Sequence, residues 1–276
     1  MSSAPSKTPA PLLRLILPHL LLLLLSTFFL WTILVLGKLL LFFRPALTIS
    51  WQRRLLRIWG ASCCGILGLR VRMASEPPPP PFLLVCNHLS WTDILVLSSA
   101  CGGNFLSKRE VRRWPLVGLL AWSAGTLFLD RLRPTDLPRT LEGMRSRLTR
   151  GGGLIFFPEG TTNDGKALLP FKSALFQLPC DLEFPVHLAC LRYGAPRGSV
   201  PDSSALSWTG NESFLAHFLR ILGLRSFDAE IIFLGAAVRG KDRKELARIC
   251  RERIEQALAS LDQEESGRKR APSIPR

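Results

Sequence analysis

Several common enzyme signatures are absent from this chain of 276 residues. It has no G-x-S-x-G sequence, in which a hydrolase serine occupies a strained turn, and no zinc-peptidase H-E-x-x-H sequence. The seven cysteines form no C-x-x-C pair and no metal-ligand cluster with histidine. The sequence therefore predicts no metal or other cofactor, and it predicts buried thiols in a reducing compartment.

Acidic residues are scarce relative to basic ones. The 36 Lys and Arg outnumber the 21 Asp and Glu, which gives a net charge of +15. This excess predicts an anionic partner such as nucleic acid, a membrane surface or a phosphorylated substrate. The sequence contains no recognised nucleic-acid-binding motif. Hydrophobic residues make up 47% of the chain, which is typical of a folded protein with a sizeable core.

Charged side chains are missing altogether between Leu15 and Gly37. This run exceeds the roughly 20 apolar residues needed to cross a bilayer. A cleaved signal peptide is the alternative, but the run is too long for one and no A-x-A-like site follows it. The cations that come next, from Lys38 to Arg57, predict a cytoplasmic flank at the inner membrane. Pro18 and the second apolar stretch Leu55–Leu69 leave a re-entrant or monotopic hairpin open.

The rest of the chain alternates short β-like runs with amphipathic helical stretches. This alternation predicts an α/β fold with a mixed, largely parallel sheet flanked by helices. We expect an N-terminal membrane-anchoring segment at 1–68, a catalytic domain at 69–262 and a basic, disordered tail at 263–276. The sequence GTTNDGKA at 160–167 is close to a phosphate-binding loop, but it has Ala167 where the metal-binding hydroxyl is needed.

The heptad NHLSWTD places His88 five residues before Asp93, directly after the buried strand-like run FLLVC. Ligand sites in open α/β sheets gather at the carboxyl ends of strands. A histidine there takes a proton from a hydroxyl when a carboxylate fixes its tautomer. An isolated H-x4-D is more often a capping or loop-stabilising pair, so the motif alone does not establish a base.

Two further segments follow other predicted strands. The sequence FFPEGTT holds Glu159 rigidly between a proline and Gly160. A proline and a glycine at this position are also common where a strand simply ends in a loop. The segment from FLSKREV to GTLFLDR places cations at strand ends, which suits a phosphate-bearing substrate or simply a solvated surface.

Taken in order, NHLSWTD, FLSKREV to GTLFLDR, FFPEGTT and FPVHL resemble the four sequence blocks of the PlsC-type glycerolipid acyltransferases, the family of 1-acylglycerol-3-phosphate acyltransferases. The resemblance covers about Leu69 to Val238. It implies transfer of a fatty acyl group from acyl-CoA or acyl-ACP to a lysolipid hydroxyl, at an anionic membrane surface, without an acyl-enzyme.

The resemblance also implies roles for individual residues. The catalytic pair would be His88 as general base and Asp93 as its orienting carboxylate. Substrate binding would fall to the basic block and the F-P-E-G-T block, namely to Lys108, Arg131, Glu159, Gly160 and Thr161. Pro185, in the fourth block, would position the site.

The acceptor implied first is 1-acyl-sn-glycerol-3-phosphate, with lyso-ornithine lipid as the alternative. Many lysophosphatidate acyltransferases have an arginine after F-P-E-G-T, where this chain has Thr162. A catalytically inactive scaffold on the same fold and a nucleic-acid binder are the rival classes. The presence of both His88 and Asp93 argues against the first, and the long apolar segment argues against the second.

Overall fold

Eight α-helices and seven β-strands alternate along the part of the chain that the computed structural model describes, which is residues 10–130, 133, 135–194, 206–209 and 212–270. The helices are α1 Ala10–Leu40, α2 Pro45–Ile66, α3 Thr92–Cys101, α4 Val117–Ser123, α5 Asp136–Thr149, α6 Gln177–Asp181, α7 Phe214–Leu222 and α8 Arg243–Arg270. The strands are β1 Leu69–Met73, β2 Phe82–Cys86, β3 Asn104–Lys108, β4 Leu127–Leu129, β5 Gly153–Phe156, β6 Val186–Gly194 and β7 Phe227–Val238. Short 3₁₀ helices follow at Arg109–Arg113 and Ser173–Phe176.

The strands form one sheet in the order β1-β7-β6-β2-β5-β3-β4. Strands β6, β2, β5, β3 and β4 run parallel, whereas β7 is antiparallel to β6 and carries β1 beside it. The predicted mixed, largely parallel sheet is confirmed. Strand β2 lies at its centre with all five side chains buried, which explains its unbroken apolar sequence.

Helices cover both faces of the sheet. On one face, side chains of α2, α3 and α7 pack against alternate strand residues such as Leu84 and Ala189. On the other face, α5, α6 and α8 pack against the intervening residues such as Leu83 and Leu188. Because successive strand residues point to opposite faces, one apolar strand serves two separate cores. The carboxyl ends of the parallel strands all meet at one edge between these layers.

Helices α1 and α2 form an antiparallel hairpin. Through α2, which belongs to the first of these layers, the hairpin is joined to the sheet. Trp59 Nε1 donates a hydrogen bond to Thr27 Oγ1 at 3.1 Å, and α2 packs against α3. The absence of a Cβ at Gly37 leaves room for the indole of Trp51, which a Cβ would overlap. By length and composition, residues 16–40 of α1 are able to cross a membrane. The two helices form a hairpin, and its placement in a membrane, spanning, re-entrant or monotopic, stays a prediction.

The C-terminal segment differs from the prediction. Helix α8 continues to Arg270, so residues 263–270, expected in a disordered tail, are helical. The physical reason is composition, because this stretch is rich in Glu, Arg and Lys, which favour helix. Residues 271–276 lie outside the described part of the chain. One face of this helix packs into the core, with Leu246, Cys250 and Ile254 fully buried.

Candidate active site

The predicted histidine and aspartate are in direct contact, His88 in the loop after β2 and Asp93 in the first turn of α3. His88 Nδ1 and Asp93 Oδ2 are 2.7 Å apart. Asp93 is completely buried, and its Oδ2 also accepts hydrogen bonds from the backbone N–H groups of Leu89 and Ser90. Since the carboxylate accepts, Nδ1 is the donor of this hydrogen bond, and in the neutral ring the free lone pair then lies on Nε2. The side chain of His88 is 19% exposed, so the imidazole remains accessible from outside.

Tyr193, the only tyrosine in the chain, completes this network from β6. Its hydroxyl donates to Asp93 Oδ1 at 2.6 Å and accepts from Thr92 Oγ1 at 2.7 Å. Burial, followed by the Asp93 charge, raises the pKa of Tyr193 well above its usual value, so this phenol is a neutral donor. Sequence analysis did not single out Tyr193, because a hundred residues separate it from Asp93.

Two other residues of the heptad, Asn87 and Trp91, form hydrogen bonds that fix the loop to neighbouring elements. The Asn87 side chain donates to Leu191 O and accepts from Leu191 N, both at 2.8 Å, and thereby extends the pairing of β2 with β6. Trp91 Nε1 donates to His217 Nδ1 at 3.0 Å and so connects the loop to α7. Burial lowers the pKa of His217, in keeping with its acceptor role.

The loop after β5 lies against the His88 loop. The His88 N–H donates to Glu159 Oε1 at 2.8 Å, and the Asn163 N–H donates back to the His88 carbonyl at 3.0 Å. The other oxygen of Glu159 accepts from the Asn163 amide and from Leu169 N–H. Burial raises the pKa of Glu159, whereas these hydrogen bonds favour the carboxylate and lower it. Glu159 therefore fastens the two loops together.

Gly160 and Thr161 follow at the surface of the same loop. Gly160 has a φ of +76°, a left-handed conformation that favours glycine, and it lines the adjoining cavity. Thr161 is exposed, while the hydroxyl of Thr162 donates to the backbone carbonyl of Trp208. The residue that replaces the expected arginine thus anchors the segment around Trp208.

A cavity of about 470 Å³ opens beside Phe157, whose ring stacks on His88 with centroids 3.9 Å apart. Its walls are mostly apolar and come from β3, β4, α5 and the segment after Gly160. Four charged residues also line it, namely Asp130, Arg133, Lys172 and Arg243. Such a mixture suits a ligand with an apolar body and a charged group.

The other predicted site residues are Lys108, Arg131 and Pro185. Lys108 ends β3 next to β4 and is exposed, and its neighbour Arg109 pairs with Asp130 at 3.0 Å. Arg131 lies outside the described residues. Pro185 directly precedes β6, whose Val186 pairs with Leu83 at the start of β2. The length of β2 therefore separates Pro185 from His88, roughly 15 Å by the rise of a strand. Its predicted positioning role has no direct contact to support it.

The described part of the chain contains no group of three or more His, Cys, Asp or Glu arranged to hold a metal ion. All seven cysteines are buried and free, as predicted. Burial raises the pKa of Cys101, Cys190 and Cys250 to about 12 each, so these thiols are neutral and inert near neutral pH.

Comparison with known proteins identifies the family. A family model described as Acyltransferase matches residues 69–191. The lyso-ornithine lipid O-acyltransferase of Pseudomonas aeruginosa is 38% identical over 208 residues, which cover 75% of this chain and 79% of that protein. The chain belongs to the PlsC-type acyltransferase family. It is accordingly an O-acyltransferase, and the family predicted from the four sequence blocks is confirmed.

Other members of the PlsC-type family support the same conclusion. The 1-acyl-sn-glycerol-3-phosphate acyltransferase of Neisseria gonorrhoeae is 30% identical over 204 residues, 73% of this chain and 77% of that protein. The crystal structure of PlsC from Thermotoga maritima shares the fold, with a TM-score of 0.59 and 20% identity over 89% of this chain and 97% of that one. These lipid-modifying relatives and helix α1 indicate membrane association.

Proposed function

We propose that this acyltransferase moves a fatty acyl group from an acyl thioester to the free hydroxyl of a lysolipid, with His88 as general base. The 2.7 Å contact between His88 and Asp93 carries the proposal. Asp93 fixes the tautomer and stabilises the imidazolium that forms, and Tyr193 acts through Asp93 as a positioning residue. General-base catalysis of this kind contributes on the order of 10²–10⁴-fold.

The reaction proceeds in two steps, addition and collapse. His88 Nε2 takes the proton of the acceptor hydroxyl while the oxygen attacks the thioester carbonyl carbon. The tetrahedral intermediate then collapses, the carbon–sulfur bond breaks, and the leaving thiolate recovers the proton from the imidazolium. The products are the acylated lipid and the free thiol of CoA or of acyl carrier protein.

The acceptor that we favour is lyso-ornithine lipid, which lacks phosphate and offers a hydroxyl on a fatty acyl chain. Two observations support it over 1-acyl-sn-glycerol-3-phosphate, which the sequence blocks imply first. The phosphate-binding arginine of many lysophosphatidate acyltransferases is replaced by Thr162, whose hydroxyl bonds Trp208. Relatives named for lyso-ornithine lipid share 38% and 35% identity with this chain.

The second candidate acceptor is 1-acyl-sn-glycerol-3-phosphate. Cations at the strand ends and in the cavity, including Lys108 and Lys172, suit a phosphate. The relative from Neisseria gonorrhoeae, which is named for this acceptor, shares 30% identity. With either acceptor, we assign Lys108, Gly160 and Thr161 to the walls of the substrate-binding region.

We also propose that the catalytic body faces the cytoplasm at the inner membrane. Cations follow the apolar helix at Arg44, Arg53, Arg54 and Arg57, and such an excess marks the cytoplasmic flank. A C-terminal reporter that folds only in the cytoplasm should therefore be active. An active reporter of the periplasmic type would reverse the orientation.

One transfer experiment tests the catalytic proposal and the acceptor together. The purified enzyme receives labelled acyl-CoA or acyl-ACP with either lyso-ornithine lipid or 1-acyl-sn-glycerol-3-phosphate, and mass spectrometry identifies the product. We expect labelled ornithine lipid from the wild type and almost none from His88→Ala. Labelled phosphatidate alone would overturn the choice of acceptor. Equal activity of wild type and His88→Ala would overturn the role of His88.

A further inference from the structure

The body of the protein exposes a group of large apolar side chains on two short helices. Helix α4 with its preceding residue and helix α7 contribute them, and each side chain is between 39% and 69% exposed. We call this group the α4–α7 surface; it consists of Leu116, Val117, Leu119, Trp122, Leu215 and Leu219. Exposed apolar groups of this kind mark an interaction site rather than a core.

The two helices approach each other where they begin, and both contact α1. The rings of Trp114, just before α4, and Phe214 of α7 have centroids 4.9 Å apart. At the end of α4, Ser123 Oγ accepts a hydrogen bond from Trp31 Nε1 of α1 at 2.6 Å. Helix α7 also packs against α1. Both helices of the α4–α7 surface thus contact the helix that is apolar enough to cross a membrane.

One residue of this surface is held outward at a conformational cost. Leu116 has a φ of +59°, a region that a bulky side chain rarely adopts, yet its side chain is the most exposed of the group. Exposed cations Arg112 and Arg113 lie in the 3₁₀ helix just before it. An apolar surface with adjacent arginines fits the interfacial region of an anionic bilayer.

Helix α7, which carries part of this surface, also contacts the loop that holds His88. Trp91, three residues after His88, contacts Phe218 of α7 with ring centroids 5.4 Å apart. We propose that the α4–α7 surface is a second membrane contact, separate from the N-terminal helix, through which the lysolipid acceptor reaches His88 without leaving the bilayer. The route to His88 rests on the acyl transfer proposed above, whereas the membrane contact does not.

A spin label tests the membrane contact independently of activity. All native cysteines are buried, so Leu119→Cys provides a selectively reactive thiol on the surface. Met73→Cys is the matched control, because Met73 is 52% exposed and Leu119 is 51% exposed, but Met73 lies on β1 at the other edge of the sheet. In vesicles containing anionic phosphatidylglycerol, we expect lipid-soluble oxygen to reach the label at 119 and a water-soluble nickel complex to reach the label at 73.

A water-accessible label at 119 in these vesicles would overturn the proposal. So would efficient disulfide crosslinking of Leu119→Cys in detergent, because a second copy would then cover the surface. Activity tests the route of the lipid. The double variant Leu119→Ser/Trp122→Ser should act roughly tenfold more slowly on a long-chain acceptor in vesicles, because apolar contact is lost. It should match the wild type on a short-chain, water-soluble acceptor, as Met73→Ser should on both.

An equal loss on both acceptors would show that the substitutions damage the enzyme and would overturn the proposed route. If neither acceptor is acylated by the wild type, the acyl transfer itself fails, and the two spin labels still decide whether the surface meets the bilayer. The two failures are therefore distinguishable.

Discussion

The segments that follow β2 and β5 each hold a buried carboxylate at the same edge of the sheet, but the two carboxylates have different hydrogen-bond partners. One oxygen of Asp93, after β2, contacts the imidazole of His88 and accepts from two backbone N–H groups, and the other accepts from Tyr193. Both oxygens of Glu159, after β5, accept from groups of the two connecting segments. The first carboxylate serves a partly exposed ring, while the second joins the loops. A buried acid next to a candidate base is therefore not by itself a reacting group.

The largest expected effect is on the first loop. His88→Ala should lower kcat on the order of 10²–10⁴-fold, because the base is removed. The imidazole is partly exposed, so the temperature of thermal unfolding should stay near that of the wild type. Product formation by mass spectrometry and an unfolding scan in the same detergent measure the two effects. A large fall in unfolding temperature would make His88 a structural residue like Glu159.

Substitution of Glu159 in the second loop should lower stability more than turnover, the reverse of what we expect for His88→Ala. Glu159→Gln keeps the shape of the side chain but replaces one acceptor oxygen by an NH₂ group, which is itself a donor. At least one of the three groups that donate to Glu159 then loses its acceptor, which should lower the free energy of unfolding by about 2–3 kcal/mol. Chemical denaturation in micelles measures it. Activity should fall mainly through loss of folded protein, with KM and kcat of the folded fraction changed less than in His88→Ala. An unchanged stability with lost turnover would instead move Glu159 into the chemistry.

Tyr193→Phe sharpens the comparison at the Asp93 carboxylate. The ring still fills its buried position, but Asp93 loses one donor, which should lower kcat by about tenfold, the size of one hydrogen bond to a charged group. Because the carboxylate then attracts the His88 proton more strongly, the acidic limb of the pH–rate profile should move to higher pH. A purely structural tyrosine would leave that limb in place.

The ionisation of Tyr193 offers a spectroscopic check. Its folded-state pKa is raised, so its contribution to stability is present below the unfolded value of about 10 and is lost as the pH rises beyond it. As the chain has a single tyrosine, tyrosinate absorbance should remain absent above pH 10 until the protein unfolds. Absorbance that rises in the folded protein near pH 10 would contradict the buried donor.

The smallest expected effect concerns Thr162 in the second loop. Thr162→Val removes the hydroxyl that holds the Trp208 carbonyl, which should cost about 1 kcal/mol and leave acceptor choice unchanged. Thr162→Arg is the informative partner, because it restores the residue found in many lysophosphatidate acyltransferases. If it increases the use of 1-acyl-sn-glycerol-3-phosphate relative to lyso-ornithine lipid, position 162 contributes to acceptor selection.

Strand periodicity and motif order predicted the sheet, its layers and the contact of His88 with Asp93, because these depend on local pattern. The direction of the Glu159 carboxylate depends on Asn163 and Leu169, which no spacing rule connects to it. Tyr193 required knowledge that β6 lies beside β2. The distance of Pro185 from His88 also required the strand order, since a residue that precedes a parallel strand lies at the edge opposite the site, and its positioning role stays a prediction.

The position of β1 at the edge of the sheet has a consequence for biosynthesis. This strand directly follows the α1–α2 hairpin, yet its neighbour in the sheet is β7, with Leu69 paired to Phe227. The ribosome therefore releases α1, α2 and β1 long before the partner strand exists. Contacts between residues so distant in sequence form slowly. We expect the growing chain to be tethered at the bilayer first, with the catalytic sheet closing at this edge only when synthesis is nearly complete.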